Sequence, residues 1–287
     1  MRFAFKTSPQ NTTWSDMLTV WKAADDIDVF ESGWTFDHFY PIFSDPTGPC
    51  LEGWVTLTAL AQATTRLRVG VLVTGIHYRH PAVLANMASA LDIVSGGRLE
   101  LGIGAGWNEE ESGAYGIELG SITERFDRFE EACQVLRGLL SQETTTFDGR
   151  FYQLKDARNE PKGPQQPHPP ICIGGNGEKR TLRITAQYAD HWNYVGGTPE
   201  EFARKRDVLA AHCADIGRDP KEIMLSAHVR LGADLDVDKV IAEAAALGDE
   251  GLDLAIVYLP PPYDPAVLEP LAEKIRASGL LDSNVDG

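Results

Sequence analysis

The feature that most constrains this chain is a repeated alternation of short apolar segments with longer amphipathic ones. Eight short segments rich in β-branched and aromatic residues each precede a segment with the apolar spacing of a helix. Strands that alternate with helices favour a parallel sheet. Eight such units are what a (β/α)8 TIM barrel requires, so an α/β TIM barrel is the predicted fold, with a doubly wound sheet as the alternative. The predicted strands are residues 2–7, 32–37, 67–74, 98–104, 170–175, 189–195, 222–231 and 252–259.

Local signals mark where several helices begin. Pro81 stands at a first helical position, where its missing N–H costs little. Ser121 with Glu124 and Thr198 with Glu201 have the spacing of capping boxes. The proline-rich stretch at about 144–170 interrupts the alternation after strand four, and it includes a hairpin signal at residues 148–149. We expect one barrel domain over residues 1–287 with an insertion there.

Composition narrows the classes of function. The chain has 287 residues and a formal net charge of −16, which disfavours binding to nucleic acid or to acidic membranes. The sequence has no apolar run long enough to span a membrane, and the first residues lack the apolar core of a signal peptide. Four scattered cysteines without a paired motif indicate reduced thiols and a cytoplasmic location.

Polar residues and glycines collect where the predicted strands end. TIM-barrel chemistry takes place at the carboxyl ends of the strands, so these residues are the candidate site. Strand two ends in Asp37 and His38, and an imidazole beside a carboxylate can exchange a proton near neutral pH. His77 and His80 could serve likewise, while the side chain of His191, within strand six, could point either way.

The end of strand five predicts a phosphate site. Gly174, Gly175 and Gly177 surround Asn176 and lead into a predicted helix at residues 179–187. Free backbone N–H groups and the helix dipole bind anions at such a position. The sequence has no P-loop, no HExxH, no GxSxG and no paired-cysteine motif, so we expect no metal. A bound organic cofactor would then carry the difficult chemistry.

Three segments together resemble the luciferase-like monooxygenase superfamily, and most closely its branch that uses the deazaflavin coenzyme F420. They are residues 79–116, 124–136 and 169–193. The resemblance extends over about residues 2–259 and implies a (β/α)8 barrel with insertions, in agreement with the strand count. It also implies a small-molecule substrate and a homodimer, with no nucleic-acid or membrane partner.

The resemblance assigns roles to particular residues. His38 is implied as the proton-exchanging catalytic residue, and Asp37 lies beside the deazaflavin ring. Gly75–Ile76, which follow Thr74, match a cis peptide bond that forms a bulge behind the ring. Asn108 matches a polar cofactor contact, and the loop from Gly174 through Gly175 and Asn176 to Gly177 matches the holder of the cofactor phosphate.

The chain also departs from part of the family pattern. Members that act on sugar phosphates carry a glutamate after the glycines of strand four, where this chain has Trp107. They carry a tryptophan after the proline that follows the Asp-His pair, where this chain has Ile42. Sugar-phosphate dehydrogenation is therefore not expected. The 144–170 insertion and the loops after strands one, two and seven are expected to shape the substrate pocket.

The preferred hypothesis is an F420-dependent oxidoreductase that moves a hydride between the deazaflavin C5 and an organic substrate. One alternative is an FMN-dependent monooxygenase of the same superfamily, which would use reduced flavin and O2. A further alternative is a non-catalytic barrel that binds a flavin or deazaflavin.

Overall fold

The computed structural model describes residues 1–281, and these form a closed parallel barrel surrounded by helices. The barrel confirms the predicted fold class. The third barrel strand is divided into β3 and β4, so the eight predicted strands correspond to nine observed ones. These are β1 Arg2–Lys6, β2 Phe30–Thr35, β3 Arg68–Val71, β4 Thr74–Gly75, β5 Leu99–Gly104, β8 Ile171–Gly174, β9 His191–Tyr194, β10 Met224–Arg230 and β11 Leu254–Tyr258.

The parallel ladder closes between β3 and β5, while β1 lies between β2 and β11. Helices cover the outside of the barrel. The helices are α1 Trp14–Asp25, α2 Gly53–Ala63, α3 Pro81–Val94, α4 Glu109–Ala114, α5 Ile122–Ser141, α6 Thr181–Tyr188, α7 Pro199–Asp215, α8 Val237–Asp249 and α9 Leu268–Ala277. Among residues 1–281 no helix has both the length and the apolarity needed to cross a bilayer.

The helix-start signals are confirmed. Pro81 occupies the first turn of α3, and both predicted capping boxes form at the starts of α5 and α7. Each box satisfies backbone N–H groups that the first helical turn leaves free. Helix α6 begins at Thr181, two residues later than expected.

The inserted stretch contains an antiparallel hairpin of β6 Thr145–Asp148 and β7 Gln153–Ala157. It packs on the outside of the barrel. The carboxylate of Glu131 on α5 accepts hydrogen bonds from the backbone N–H groups of Arg150, Phe151 and Tyr152. The amide of Asn159, 3% exposed, donates to Ser89 Oγ on α3 at 2.8 Å. These contacts fix the insertion against α3 and α5.

The predicted cis bond at Gly75–Ile76 is wrong. The non-prolyl cis bond lies between Leu72 and Val73, where strand three is interrupted. Thr74 and Gly75 are regular ladder residues that pair with Ile103 and Gly104 of β5. The glycine therefore does not mark the irregular position, because a glycine can also occupy an undistorted strand where space is short.

A buried polar cluster occupies the interior below the site. Glu100 of β5 binds Arg68 Nε at 2.8 Å through Oε1 and His191 Nδ1 at 3.0 Å through Oε2. His191 Nε2 lies 2.6 Å from Ser226 Oγ, which also accepts from the amide of Asn193. Burial opposes ionisation of Glu100, but the hydrogen bonds and charges of His191 and Arg68 outweigh it and lower its pKa to about 2. His191 thus points inward and has a structural role.

We predict that Glu100→Gln lowers the free energy of unfolding by about 3–5 kcal/mol near pH 7, the usual cost of breaking a buried pair. The folded-state pKa is depressed, so the carboxylate stabilises fully above about 4.5 and progressively less as pH falls toward about 2. In urea titrations, the difference in free energy of unfolding between wild type and variant should therefore decrease as the pH is lowered from neutral to strongly acidic. Glu143→Gln, at an exposed position, is the control. A gap independent of pH would contradict the depressed pKa.

Candidate active site

A cavity of about 760 Å³ opens at the carboxyl ends of the barrel strands. Its wall is mainly apolar, which is typical of pockets for organic ligands and cofactors. Five of the predicted site residues line it: Asp37, His38, Gly75, Gly174 and Gly175. The cavity therefore lies at the end of the barrel where the sequence predicts the site. The described residues contain no cluster of His, Cys, Asp or Glu suited to a metal ion.

Val73 projects into the wall of this cavity between two glycines. A Cβ at Gly104 would lie 2.9 Å from Val73 Cγ2, and one at Gly174 would lie 2.9 Å from Val73 Cγ1. Real side chains do not approach so closely, so both positions need glycine for steric reasons. The glycines at the ends of β5 and β8 thus make room for a neighbouring side chain, a role that glycine spacing alone does not reveal.

Asp37 is held by an arginine of the loop after β4. Its side chain is 1% exposed, and Arg79 contacts both carboxylate oxygens, with Nη2 3.2 Å from Oδ1. A two-point contact between guanidinium and carboxylate fixes orientation as well as charge. Arg79 also approaches Glu52 Oε1 at 3.5 Å, so it joins the end of β2 to the start of α2.

His38 is oriented by a buried glutamate that follows β5. His38 Nδ1 lies 2.7 Å from Glu111 Oε2, and Glu111 is fully buried in α4. Tyr78 Oη donates to the same carboxylate oxygen at 2.5 Å, and the backbone N–H of Phe39 donates to Oε1 at 2.5 Å. The three partners satisfy both oxygens of a side chain that water does not reach.

These contacts determine the charge of Glu111. Burial alone would raise its pKa, but the hydrogen bonds from His38, Tyr78 and the Phe39 backbone outweigh burial and lower it. Burial together with the Glu111 carboxylate raises the pKa of Tyr78, so Tyr78 remains a neutral donor. An ionised Glu111 that occupies His38 Nδ1 leaves Nε2 as the nitrogen free to exchange a proton.

Aromatic rings surround His38 and form the rim of the cavity. Phe36 and Trp107 lie edge-on to the imidazole with ring centroids at 5.0 and 5.7 Å. Trp107 also stacks in parallel on Phe43 at 5.4 Å. Phe43 is 88% exposed and Trp107 50%, so the stacked pair presents apolar surface at the entrance.

The other predicted cofactor contacts do not line the cavity. Thr74 is buried and accepts from Trp54 Nε1 at 2.8 Å, and Ile76 belongs to the core. Asn108 Oδ1 caps α4 by accepting from the Glu111 N–H at 3.1 Å. Asn176 bonds to backbone groups of residues 195 and 196, and Gly177 is exposed. Cofactor contact by these five residues stays a prediction.

Two of the remaining histidines contact neighbouring elements. His80 Nδ1 accepts from the Ala82 N–H at the start of α3. His77 Nε2 lies 3.1 Å from Ser112 Oγ, while its Nδ1 has no hydrogen-bond partner among the described residues. Burial, followed by the charge of Arg128, lowers the pKa of His77 to about 4. Neither histidine lines the cavity.

The glycine loop leads into the start of α6, where the Leu182 N–H already donates to the Gly177 carbonyl at 3.0 Å. Helix α6 has no side-chain cap at Arg180, and Thr181 in its first turn lines the cavity. Gly175 has φ +130°, a conformation that side chains rarely adopt. An uncapped helix start beside a cavity has the donors and the dipole that an anion requires.

Sequence reasoning missed three residues of the site: Tyr78, Arg79 and Glu111. The spacing of Asn108 and Glu111 was a usable signal, because Asn with an acid three residues later marks a helix start. It placed Glu111 on a helix but could not show which strand end it faces. The expectation that residues 144–170 shape the pocket is wrong, because the observed lining includes none of them. The loops after β1, β2 and β10 do contribute.

Comparison with known proteins agrees with this fold. The family model for luciferase-like monooxygenases matches residues 1–268. The chain belongs to this family. Among its luciferase-like relatives is the pyrimidine monooxygenase RutA of Methylobacterium radiotolerans, 31% identical over 233 residues. The match covers 74% of this chain and 60% of that relative, so the chain spans less than two thirds of its length.

Solved structures share the luciferase-like fold. An F420-dependent secondary alcohol dehydrogenase in complex with an F420–acetone adduct superposes with a TM-score of 0.86 and 20% identity, over 98% of this chain and 99% of that one. A riboflavin lyase, RcaE, with modified FMN and riboflavin superposes with a TM-score of 0.81 and 14% identity, over 100% and 94%. At these identities the likeness shows the fold alone.

We predict that Gly104→Ala lowers the free energy of unfolding by about 1–3 kcal/mol, because the new methyl overlaps Val73. Shortening the opposing side chain in Gly104→Ala/Val73→Ala should recover part of this loss. Gly113→Ala is the control, since nothing lies within 4 Å of a Cβ at that position. Guanidinium titration measures all four proteins. Equal costs in the single and double variants would contradict the steric account.

Proposed function

We propose that this protein is an F420-dependent oxidoreductase that transfers a hydride between the deazaflavin C5 and an organic substrate. The observation that carries the proposal is the position of His38 in the cavity wall, bound through Nδ1 to the buried Glu111 at 2.7 Å. This arrangement supplies an oriented proton exchanger beside a space that suits an organic cofactor and its substrate.

The residues around the cavity fit such a cofactor. The volume of about 760 Å³ lies within the range of organic ligand sites, and its wall is largely apolar. Asp37, Val73 and Gly75 would lie against the ring, and Gly104 and Gly174 keep the wall around Val73 clear of further side chains. Gly175 and the uncapped start of α6 would receive a phosphate.

When bound, F420 supplies a two-electron hydride carrier, which the side chains of this protein do not provide. His38 holds or releases a proton at Nε2 while the substrate changes oxidation state. Glu111 fixes the imidazole through Nδ1 and compensates positive charge on the ring. Phe36 and Trp107 limit the access of water to this imidazole. The apolar wall orients the organic substrate.

A flavin-dependent reaction is the second candidate. It is supported by the 31% identity to a protein named as a pyrimidine monooxygenase and by the similar fold of a riboflavin lyase with modified FMN. The same glycine loop would receive the phosphate of FMN. The paired Asp37 and His38 favour the deazaflavin, because many flavin-dependent members of the superfamily carry Glu-His at the corresponding strand end.

We predict that the purified full-length protein binds F420 with micromolar or tighter affinity and binds FMN more weakly. Fluorescence quenching measures the first and calorimetry the second. Oxygen uptake with reduced FMN provides the opposing test, since a monooxygenase would consume O2. FMN binding and O2 consumption without F420 binding would overturn the proposal.

We predict that His38→Ala lowers kcat by about 10²–10⁴-fold, the usual contribution of a general acid or base. The substrate would come from a redox screen that begins with secondary alcohols and ketones. The dissociation constant for F420 should change little. Glu109→Gln is the control, because Glu109 is in the first turn of α4, as Glu111 is, but its side chain is exposed. An unchanged kcat in His38→Ala would exclude His38 as the proton exchanger.

We predict that Glu111→Gln lowers kcat about tenfold or more while KM and F420 affinity change little, because Glu111 acts through His38. The double variant His38→Ala/Glu111→Gln should be no slower than His38→Ala alone. Stopped-flow measurement of F420 absorbance follows the reaction. Additive losses in the double variant would show that Glu111 acts independently of His38.

A further inference from the structure

Three basic side chains converge on the wall of the cavity formed by β1, β10 and β11. Lys6 is paired in register with Tyr258, and Tyr258 with Arg230. These residues therefore end three adjacent strands at one level. His228 lies two residues before Arg230 on β10, and all four residues line the cavity.

The Tyr258 ring is the common neighbour of these groups. Lys6 Nζ lies 4.5 Å from the ring centroid and Arg230 Cζ lies 5.0 Å from it. The His228 ring lies edge-on at 4.9 Å. Burial, followed by the charge of Arg230, lowers the pKa of Lys6 to about 7. The charged form of Lys6 is therefore disfavoured in the empty cavity, because Lys6 is 2% exposed and faces the charge of Arg230.

No carboxylate among residues 1–281 forms an ion pair with Lys6 or Arg230. Lys6 Nζ donates to the carbonyl of Leu72 at 2.7 Å and retains further donors. Within residues 1–281 the guanidinium of Arg230 contacts the Tyr258 ring. Glu243 on α8 accepts a hydrogen bond from the Arg230 backbone and attracts its charge, but forms no ion pair with the guanidinium. This is unusual in a chain of net charge −16, where acids outnumber bases.

The cavity itself supplies no free negative charge. Asp37 is the acidic residue among the described lining residues, and Arg79 binds both of its oxygens. His228 Nε2 has no hydrogen-bond partner within the described chain. Burial, followed by Lys6 and Arg230, lowers the pKa of His228 well below its usual value, so the imidazole is neutral and adds no charge. The wall therefore offers the Lys6 amine, the Arg230 guanidinium and the His228 imidazole, none of which forms an ion pair with a carboxylate among residues 1–281.

We propose that Lys6, His228 and Arg230 form an oxyanion subsite that holds a carboxylate of the substrate. The planar guanidinium fork matches a carboxylate, and the ammonium supplies a point charge deeper in the cavity. A singly charged anion suits this wall, because reaching the buried Lys6 requires loss of hydration and a phosphate dianion would lose more.

The subsite deepens the proposed function and rests on it, since both use one cavity. The remaining wall is apolar, with Ile42, Phe43 and Leu231 among its residues. The inferred substrate is therefore a small organic acid with a largely apolar body. Its carboxylate would lie against β1 and β10, and its reacting carbon would lie toward His38 at the end of β2.

Benzoate and its neutral isostere benzamide are the probes that test this subsite. Saturation-transfer NMR and calorimetry on the full-length protein should detect benzoate binding, with benzamide at least about tenfold weaker. Arg230→Gln should weaken benzoate about tenfold or more and leave benzamide unchanged. Lys6→Met should do the same. Arg158→Gln, an exposed arginine of the insertion, is the control.

Arg230→Gln keeps the test independent of folding, because Arg230 is exposed whereas Lys6 is buried. Equal affinity of wild type and Arg230→Gln for benzoate would overturn the subsite, as would equal binding of benzoate and benzamide. Inorganic phosphate is tested as a competitor of benzoate. If phosphate binds more tightly than benzoate, the assignment of the subsite to a carboxylate is wrong.

The three basic residues could instead bind an anionic group of the cofactor. A second set of titrations distinguishes this from binding of a substrate carboxylate. F420, FMN and riboflavin are titrated into wild type and Arg230→Gln, with and without benzoate. Cofactor affinity should be unchanged by the substitution, and benzoate should still bind the cofactor-loaded protein. Competition between benzoate and the cofactor would overturn the proposal. The benzoate titrations need no cofactor. They therefore still test the subsite if the protein fails to bind F420 and the proposed function is wrong.

Discussion

A carboxylate removed from water must find its hydrogen bonds within the protein, and Glu111 is the carboxylate on which the site depends. Its oxygens receive donors from the end of β2 and from the loop after β4. The helix that carries it begins at Asn108, which caps the Glu111 N–H. Three loops that are distant in sequence are therefore fixed relative to one another, and the orientation of His38 follows from that arrangement.

The acidic residues in the barrel interior have basic partners, whereas the basic residues on the opposite wall have no ion pair within residues 1–281. The Glu100 cluster below the cavity is balanced internally by Arg68 and His191. Asp37 is balanced by Arg79. Lys6 and Arg230, on the other side, have no such balance among the described residues. The contrast matters for Lys6, because a buried charge without an ion-pair partner lowers stability, and the proposed carboxylate would compensate it.

The sequence was sufficient to predict the elements that depend on local chemistry. Pro81, Ser121 and Thr198 mark helix starts because caps are satisfied within a few residues. The eight strands follow from apolar periodicity, and the position of Asp37 and His38 follows from the strand ends. Residue pairs far apart in the chain could not be predicted in this way. His38 meets Glu111 across 73 positions, and Tyr258 meets Lys6 where the first and last strands of the barrel pair.

The irregular peptide of strand three illustrates the same limit. The family resemblance implied a cis bond at Gly75–Ile76, where a small residue precedes a β-branched one. The structure places the non-prolyl cis bond at Leu72–Val73, and the Val73 side chain lies against Gly104 and Gly174 on two other strands. A glycine can thus be needed because a neighbouring side chain occupies the space of its Cβ, and not because of its own backbone conformation.

The register of β1, β10 and β11 has an evolutionary consequence. Lys6, Tyr258 and Arg230 lie at one level but on strands whose following loops are separate from the loop that carries Glu111. In the proposed subsite, a substitution at Lys6 or Arg230 would alter which molecules are accepted while the His38–Glu111 pair stays intact. Substrate specificity and proton exchange would then change separately, through residues that adjoin in the barrel wall but lie far apart in the chain.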